Sequence, residues 1–233
     1  MKIALYTAVF GGYDVLSDLR SCGDFTDIDL VCFSDNKSGY KGWQNRYVEP
    51  LKEDTSEFRY ARTNRYYKLN PHLFLKDYDV NIYVDGHVKS CNVDLVRNYA
   101  AQVFYSSDYD MITGIHEHRV GIWKESKVVV ERQRDFKDVV EKQVKQYMSS
   151  GFPNDILLTA NGIMFRKTHS LLLKEFNEFW WNEVRTKSYR DQLSFAYSVW
   201  KKQFWRYRVI TNRLKIFQLG AHEKGVVSVL GDR

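Results

Sequence analysis

Val80-Asn81-Ile82-Tyr83-Val84 is a strand-length apolar run, and it stops abruptly at Asp85-Gly86-His87. Ile28-Asp29-Leu30-Val31-Cys32-Phe33 stops in the same way at Ser34-Asp35-Asn36. Short apolar runs that end in small or acidic residues, alternating with amphipathic segments of helix length, describe a mostly parallel sheet with crossover helices. On either side of these two runs, strands are expected at Lys2–Phe10, Arg46–Val48, Met111–Ile115, Gly162–Phe165 and Tyr207–Ile210. Helices are expected at Glu57–Leu75, Val93–Tyr105, Lys124–Met148, Ser170–Val184 and Arg190–Trp200. The fold class is α/β, with a mostly parallel central sheet flanked by helices. At 233 residues, without a repeat or a linker, residues 1–233 read as a single domain.

Composition narrows the class further. An apolar share of 44% and a charged share of 27% exclude a disordered chain, a collagen-like repeat and a coiled coil. Cys22, Cys32 and Cys91 form no C-x-x-C pair and leave an odd thiol over, which argues against a disulfide scaffold and a zinc knuckle. The N-terminal apolar run is too short for a signal peptide, and no run approaches the roughly 18 apolar residues of a membrane helix. A soluble chain in the reducing cytoplasm is therefore expected. Lys plus Arg number 35 against 29 Asp plus Glu, a net charge of +6. Lys201–Lys215 alone holds Lys201, Lys202, Arg206, Arg208, Arg213 and Lys215 with no acid, interleaved with Phe204, Trp205 and Tyr207. That segment suits an anionic polymer by stacking plus charge, but the chain carries no nucleic-acid reader motif. The basic excess reads instead as a face for an anionic or membrane-associated acceptor, with peripheral membrane association as a corollary.

Ligands of open α/β sheets bind outside the carboxyl ends of the strands, so the polar residues there are site candidates. Asp85 and His87, two apart on a turn opened by Gly86, offer oxygen and nitrogen to Mn²⁺ or Mg²⁺, which would neutralise a diphosphate. His222, in a Gly-flanked tail, is a candidate second nitrogen. Arg59, Arg62, Arg65 and Lys68 form a slanting basic stripe, from which Arg62 and Lys68 are expected to reach diphosphate oxygens. Phe10-Gly11-Gly12-Tyr13-Asp14 matches neither a dinucleotide nor a P-loop fingerprint. A nucleoside could still lie across Thr7 and Ala8, near Asp35. Asp191, in the first turn of a helix that Ser188 could cap, is either a dipole-stabilised carboxylate or a general base. His116 and His118, alternate residues after a strand, are candidate acceptor contacts. Trp180, Trp181 and Tyr189 are aromatic faces on which a ligand ring could stack, although the tryptophan pair reads as core. The charged Lys124–Met148 reads as a solvated helix laced with i,i+4 pairs, with an excursion over the site as the alternative.

Tyr6-Thr7-Ala8-Val9-Phe10-Gly11-Gly12-Tyr13-Asp14, Cys32-Phe33-Ser34-Asp35, Arg62 to Lys68 to Pro71-His72, Ile82-Tyr83-Val84-Asp85-Gly86, Asn161-Gly162-Ile163-Met164-Phe165-Arg166, Trp180-Trp181-Asn182-Glu183 and Ser188-Tyr189-Arg190-Asp191-Gln192-Leu193-Ser194-Phe195 follow one another in order. This succession resembles the glycosyltransferase-like family of plant turgor- and mucilage-related proteins and their bacterial and viral relatives, and at fold level the GT-A glycosyltransferases. The resemblance implies a Rossmann-like GT-A fold, a nucleotide-diphosphate sugar donor, UDP being the expected nucleotide, and a glycan or other hydroxyl acceptor. It implies a divalent metal at a D-x-D-type motif in which His87 replaces the second acid, so that Asp85 serves both metal and donor. By the same resemblance Asp191 falls where many inverting GT-A enzymes hold their base, and Asn161 joins His116 and His118 on the acceptor side. Residues 1–115 would form the nucleotide-sugar and metal half, and 116–233 the acceptor half and tail.

Overall fold

The computed structural model describes residues 1–116, 121–153 and 156–224. Seven strands form one sheet in the order β3-β2-β1-β4-β7-β6-β8. They are β1 (Ile3–Val9), β2 (Ile28–Ser34), β3 (Gln44–Tyr47), β4 (Val80–Val84), β6 (Met111–Ile115), β7 (Thr159–Lys167) and β8 (Tyr207–Ile210). All neighbours run parallel except β7, which is antiparallel to both β4 and β6. A second, two-stranded sheet pairs β5 (Val88–Cys91) with β9 (Phe217–Leu219). The strand order turns back at β1, with β2 on one side and β4 on the other, and this opens a crevice at their carboxyl ends.

β1 is buried along its whole length and its alternation sorts two cores. Ile3 and Leu5 pack with Val96, Ala100 and Val103 of α3 (Val93–Tyr105). Tyr6, Ala8 and Phe10 pack with Tyr67 of α1 (Arg59–Leu69) and with Phe176, Trp180 and Val184 of α6 (Leu171–Thr186). The sheet is thus covered on both faces, as its near-continuous apolar strands require.

Two expected helices are each split in two. Glu57–Leu75 breaks at Asn70, because the residue before Pro71 is pushed out of the helical region; α1 ends at Leu69 and a short α2 (Pro71–Phe74) follows. Lys124–Met148 becomes α4 (Ile122–Glu131) and α5 (Lys137–Ser149), separated by a turn with Gln133 at φ 50°. The expected solvated helix is therefore corrected, since its middle carries a buried anchor. Asp135 accepts from Ser188 Oγ at 2.5 Å and from Tyr189 N at 3.1 Å, just before α7 (Asp191–Lys202). Ser188 consequently serves Asp135 and does not cap α7, whose N-cap is Arg190. β7 is longer than the expected Gly162–Phe165, and β5, α8 (Arg213–Ile216) and β9 were not anticipated.

Removing the Asp135 carboxylate leaves two buried donors unpaired, whereas Lys137 two residues on is exposed. In urea denaturation Asp135→Ala is expected to lose about 3 kcal/mol and Lys137→Ala less than about 0.5 kcal/mol. Equal losses would mean that the α4–α5 turn is not anchored in this way.

Candidate active site

The crevice between β1 and β4 widens into a cavity of about 830 Å³. Ala8, Val9 and Phe10 from the end of β1 line it, as do Asp85, Gly86 and His87 from the end of β4. Two glycines clear it for carboxylates. A Cβ on Gly86 would lie 2.9 Å from Asp14 Oδ2, and one on Gly162 would lie 2.5 Å from Asp85 Oδ2. Both distances are below any tolerated Cβ contact.

Pairing of β9 with β5 folds the C-terminal segment back along the strand that leaves His87, and Gly220 N donates to His87 O at 2.8 Å. Val15 N in turn donates to Glu223 O at 3.0 Å, closing the segment against the loop after β1. Asp14, His87 and His222 meet there, with one ligand atom from each lying within 4.8 Å of the others. His222 Nδ1 is 2.9 Å from Asp14 Oδ1, and the imidazoles of His87 and His222 meet at a tilt of 52° with centroids 4.2 Å apart. Burial pushes the His87 imidazole down, toward the neutral form a metal requires, and raises Asp14 against the opposing hydrogen bond from His222. His87 Nδ1 is buried without a hydrogen-bond partner. One carboxylate and two imidazoles, one of them with an orphaned ring nitrogen, fit a divalent cation of the Mn²⁺ type.

Asp14 was not singled out in the sequence as a ligand, although it closes the Gly11-Gly12-Tyr13-Asp14 turn. The expectation for Asp85 is corrected in the opposite sense. Its Oδ1 accepts from Tyr83 OH at 3.0 Å and sits 3.8 Å from Lys68 Nζ, so it is drawn toward α1 and stands outside the three-residue cluster.

Behind Asp85 lies a buried ion pair. Lys68 Nζ is 2.8 Å from Asp191 Oδ2, and Arg65 Nε donates to Asp191 Oδ1 at 3.2 Å. Burial opposes ionisation of Asp191, yet the charges of Lys68 and Arg65 hold its carboxyl far below the usual carboxylate range. Burial likewise pushes the Lys68 ammonium down, against the pull of Asp191 and Asp85. Two cations hold this carboxylate ionised and in place, so in the structure Asp191 anchors Lys68 and Arg65. The backbone of Lys68 is fixed from the sheet: Tyr6 OH donates to Lys68 O at 2.9 Å and itself accepts from Arg166, which also bonds Asn81 Oδ1 at 3.1 Å.

Other expected contacts fall outside the cavity lining. Thr7 is fully buried on the opposite face of β1 from Ala8, because strand residues alternate. Asp35 accepts from Gly11 N at 3.1 Å and holds the turn after β1. Arg62 is spent on Asp54, at 3.0 Å, and on the Val184 and Lys187 carbonyls; Arg65, three residues on, is the stripe residue that joins Lys68 in the cavity. On the far wall stand His116, whose Nε2 is 4.0 Å from Glu125 Oε2, and Asn161, whose Nδ2 is buried without a hydrogen-bond partner. His118 lies outside the described residues. Trp180 is core, its Nε1 donating to Asp191 O at 3.1 Å, and Trp181 packs on Tyr66. Tyr189 lines the cavity, stacked on Phe58.

Cations missed by sequence reasoning complete the lining. The α4–α5 turn brings in Arg132 and Arg134, the entry to α7 brings Arg190, and α8 brings Arg213. With Arg65 and Lys68 that makes six basic residues against Asp14, Asp85 and Asp191, an excess of three positive charges before the histidines are counted. Arg213 lines the cavity while Lys202 ends α7 roughly 16 Å along the helix from Asp191, so the basic residues of Lys201–Lys215 are divided between the cavity and the far end of α7.

Three solved structures share this fold. Mouse xyloside xylosyltransferase 1 aligns at TM-score 0.52 with 10% identity, over 90% of this chain and 85% of its own. Core-mannan synthase A of Aspergillus fumigatus, in a Mn/GDP form, aligns at 0.52 with 10% identity, over 97% and 78%. Glucosyl-3-phosphoglycerate synthase of Mycobacterium tuberculosis aligns at 0.50 with 9% identity, over 95% and 73%. No curated protein matches the sequence. Residues 56–228 match the model of the TOD1/MUCI70 glycosyltransferase-like domain. That span contains α1 with Arg65 and Lys68, the Asp85-Gly86-His87 turn, Asp191 and His222, and on this match the chain belongs to the TOD1/MUCI70 glycosyltransferase-like family.

Proposed function

We propose that this protein transfers a sugar from a nucleoside-diphosphate donor to a hydroxyl acceptor with the help of a divalent cation. The observation that carries this reading is the pairing, in one cavity, of the Asp14, His87 and His222 cluster with the rigid Lys68 and Arg65 cations. Three acids alone would repel a diphosphate, whereas six basic residues and a cation site welcome one. The Mn/GDP form of the Aspergillus core-mannan synthase supports a donor and metal of this class.

Asp14, His87 and His222 would hold the cation, which when bound supplies Lewis-acid neutralisation of the diphosphate. Lys68 and Arg65, fixed by Asp191, are donors already aimed before reaction and need little reorganisation as charge develops on the leaving phosphate. Asp191 thereby acts as a positioning residue. The exposed rings of Tyr13 and Tyr60 at the rim, near Ala8, offer faces for the nucleoside. His116, Asn161 and Gln192 also line the cavity and would contact a glycan or glycoconjugate acceptor.

Incubation with a panel of UDP-, GDP- and dTDP-sugars tests the reading. Release of nucleoside diphosphate that requires Mn²⁺ or Mg²⁺ and stops on chelation is expected; no turnover and no thermal stabilisation by any donor would contradict it. Gly162→Ala, which forces Asp85 to move, is expected to cut turnover about tenfold or more with the fold intact, since misplacement of about 1 Å can cost that much. Asp191→Asn is expected to lose about 3 kcal/mol of unfolding free energy and to leave the acid limb of the pH–rate profile of its residual activity in place. Loss of that limb at unchanged stability is the result a general base would give.

A further inference from the structure

We propose that the end of the molecule opposite the cavity is a docking surface for an anionic membrane. Three segments converge there on the buried carboxylate of Asp110, which precedes β6. Arg206 Nε donates to Asp110 Oδ2 at 2.9 Å, and its other nitrogen reaches Ser107 O at 2.7 Å. Ser170 Oγ, at the start of α6, donates to the same Oδ2 at 2.9 Å. Lys167 Nζ donates to Ser106 O at 2.8 Å and lies 3.8 Å from Asp110 Oδ1. The end of α3, the start of α6 and the junction of α7 with β8 are thereby held side by side.

Each of these segments presents large apolar side chains to solvent. Tyr105 is 77% exposed, Leu171 74%, Leu172 55% and Trp205 51%. Nothing in their own elements requires this exposure, because neighbouring Leu173 and Phe204 fill the core. The charge around them is net positive. Residues 105–110, 167–174 and 200–208 carry six cations against Asp108 and Asp110; Arg206 and Lys167 lie against Asp110 and Lys174 is 3.9 Å from Glu178, so Lys201, Lys202 and Arg208 carry the excess. The exposed Lys201 and Lys202 set their ammonium groups over the rings of Trp200 and Phe179, 5.8 and 5.9 Å from the centroids.

Exposed Trp, Tyr and Leu set among lysines is the composition of a segment lying at a bilayer interface over anionic lipid. A second copy of this chain is a poorer occupant, since an isologous contact would set these cations against themselves. The geometry also fixes orientation. The patch lies at the amino-terminal ends of β6 and β8, while the cavity lies at the carboxyl ends of the sheet's parallel strands. A docked molecule therefore holds its cavity away from the bilayer. This proposal does not depend on the reaction proposed above.

Co-sedimentation of the full chain with vesicles tests it. Binding to an equal mixture of phosphatidylcholine and phosphatidylserine, but not to phosphatidylcholine alone, is expected, weakening with salt. Lys201→Glu with Lys202→Glu is expected to weaken that binding by at least about tenfold, each cation near the surface being worth roughly fivefold. Leu171→Ser with Trp205→Ala should weaken it about tenfold as well, with unchanged melting and unchanged turnover of soluble substrates. The proposal is overturned if wild type ignores phosphatidylserine, if both double variants bind as wild type does, or if light scattering shows that this face pairs two copies and excludes vesicles.

Discussion

The buried ion pair between Lys68 and Asp191 is the constraint on which the candidate site depends. It joins the last turn of α1 to the first turn of α7, two helices 123 positions apart in sequence at these residues, and does so at the mouth of the β1–β4 crevice. Two charges taken from water are costly to bury, and the cost is offset only when both find several partners. Here Asp191 has Lys68, Arg65 and the favourable end of the α7 dipole, and Lys68 has Asp191, Asp85 and the face of Tyr83 at 4.9 Å. The backbone beneath is held by the Tyr6–Arg166–Asn81 chain. An arrangement so over-determined suits a site whose cations must stay aimed whether or not a ligand is present.

The second half of the site is assembled by return of the chain. Asp14, His87 and His222 are far apart in sequence and meet because β9 pairs with β5 directly after His87. The two halves, the rigid cations on α1 and the carboxylate–imidazole cluster on the loops, are separated by Asp85, which titrates below the usual carboxylate range despite burial because Lys68 and Arg65 face it. Asp85 therefore reads as the hinge of charge between a cation site and a cationic helix.

The sheet was legible because buried parallel strands are continuous apolar runs, and the position of the cavity followed from where those runs end in Asp85-Gly86-His87. Asp191 and Lys68 were legible as candidates, but not as partners, because pairing between residues so distant in sequence leaves no local pattern. Arg62 and Arg65 show the same limit on a smaller scale. Three residues apart on one stripe, they differ only in what the neighbouring helix offers: carbonyls of α6 and the helix's end for one, Asp191 for the other. Arg132 and Arg134 were hidden in a segment whose mixed charge resembles a solvated helix, and only the buried Asp135 beside them turns the chain toward the cavity. Asp14 was hidden by its turn, since an acid after Gly-Gly has an ordinary conformational reason to be there.

The central claim is that a divalent cation and a nucleoside diphosphate share this cavity, the cation on Asp14, His87 and His222 and the phosphates toward Lys68 and Arg65. Anomalous diffraction from crystals soaked with Mn²⁺ and either UDP or GDP tests it most directly. The account predicts one manganese peak bonded to Asp14, His87 and His222, with diphosphate density between it and α1. A manganese ion bound elsewhere, or a diphosphate seated outside the cavity, would contradict it.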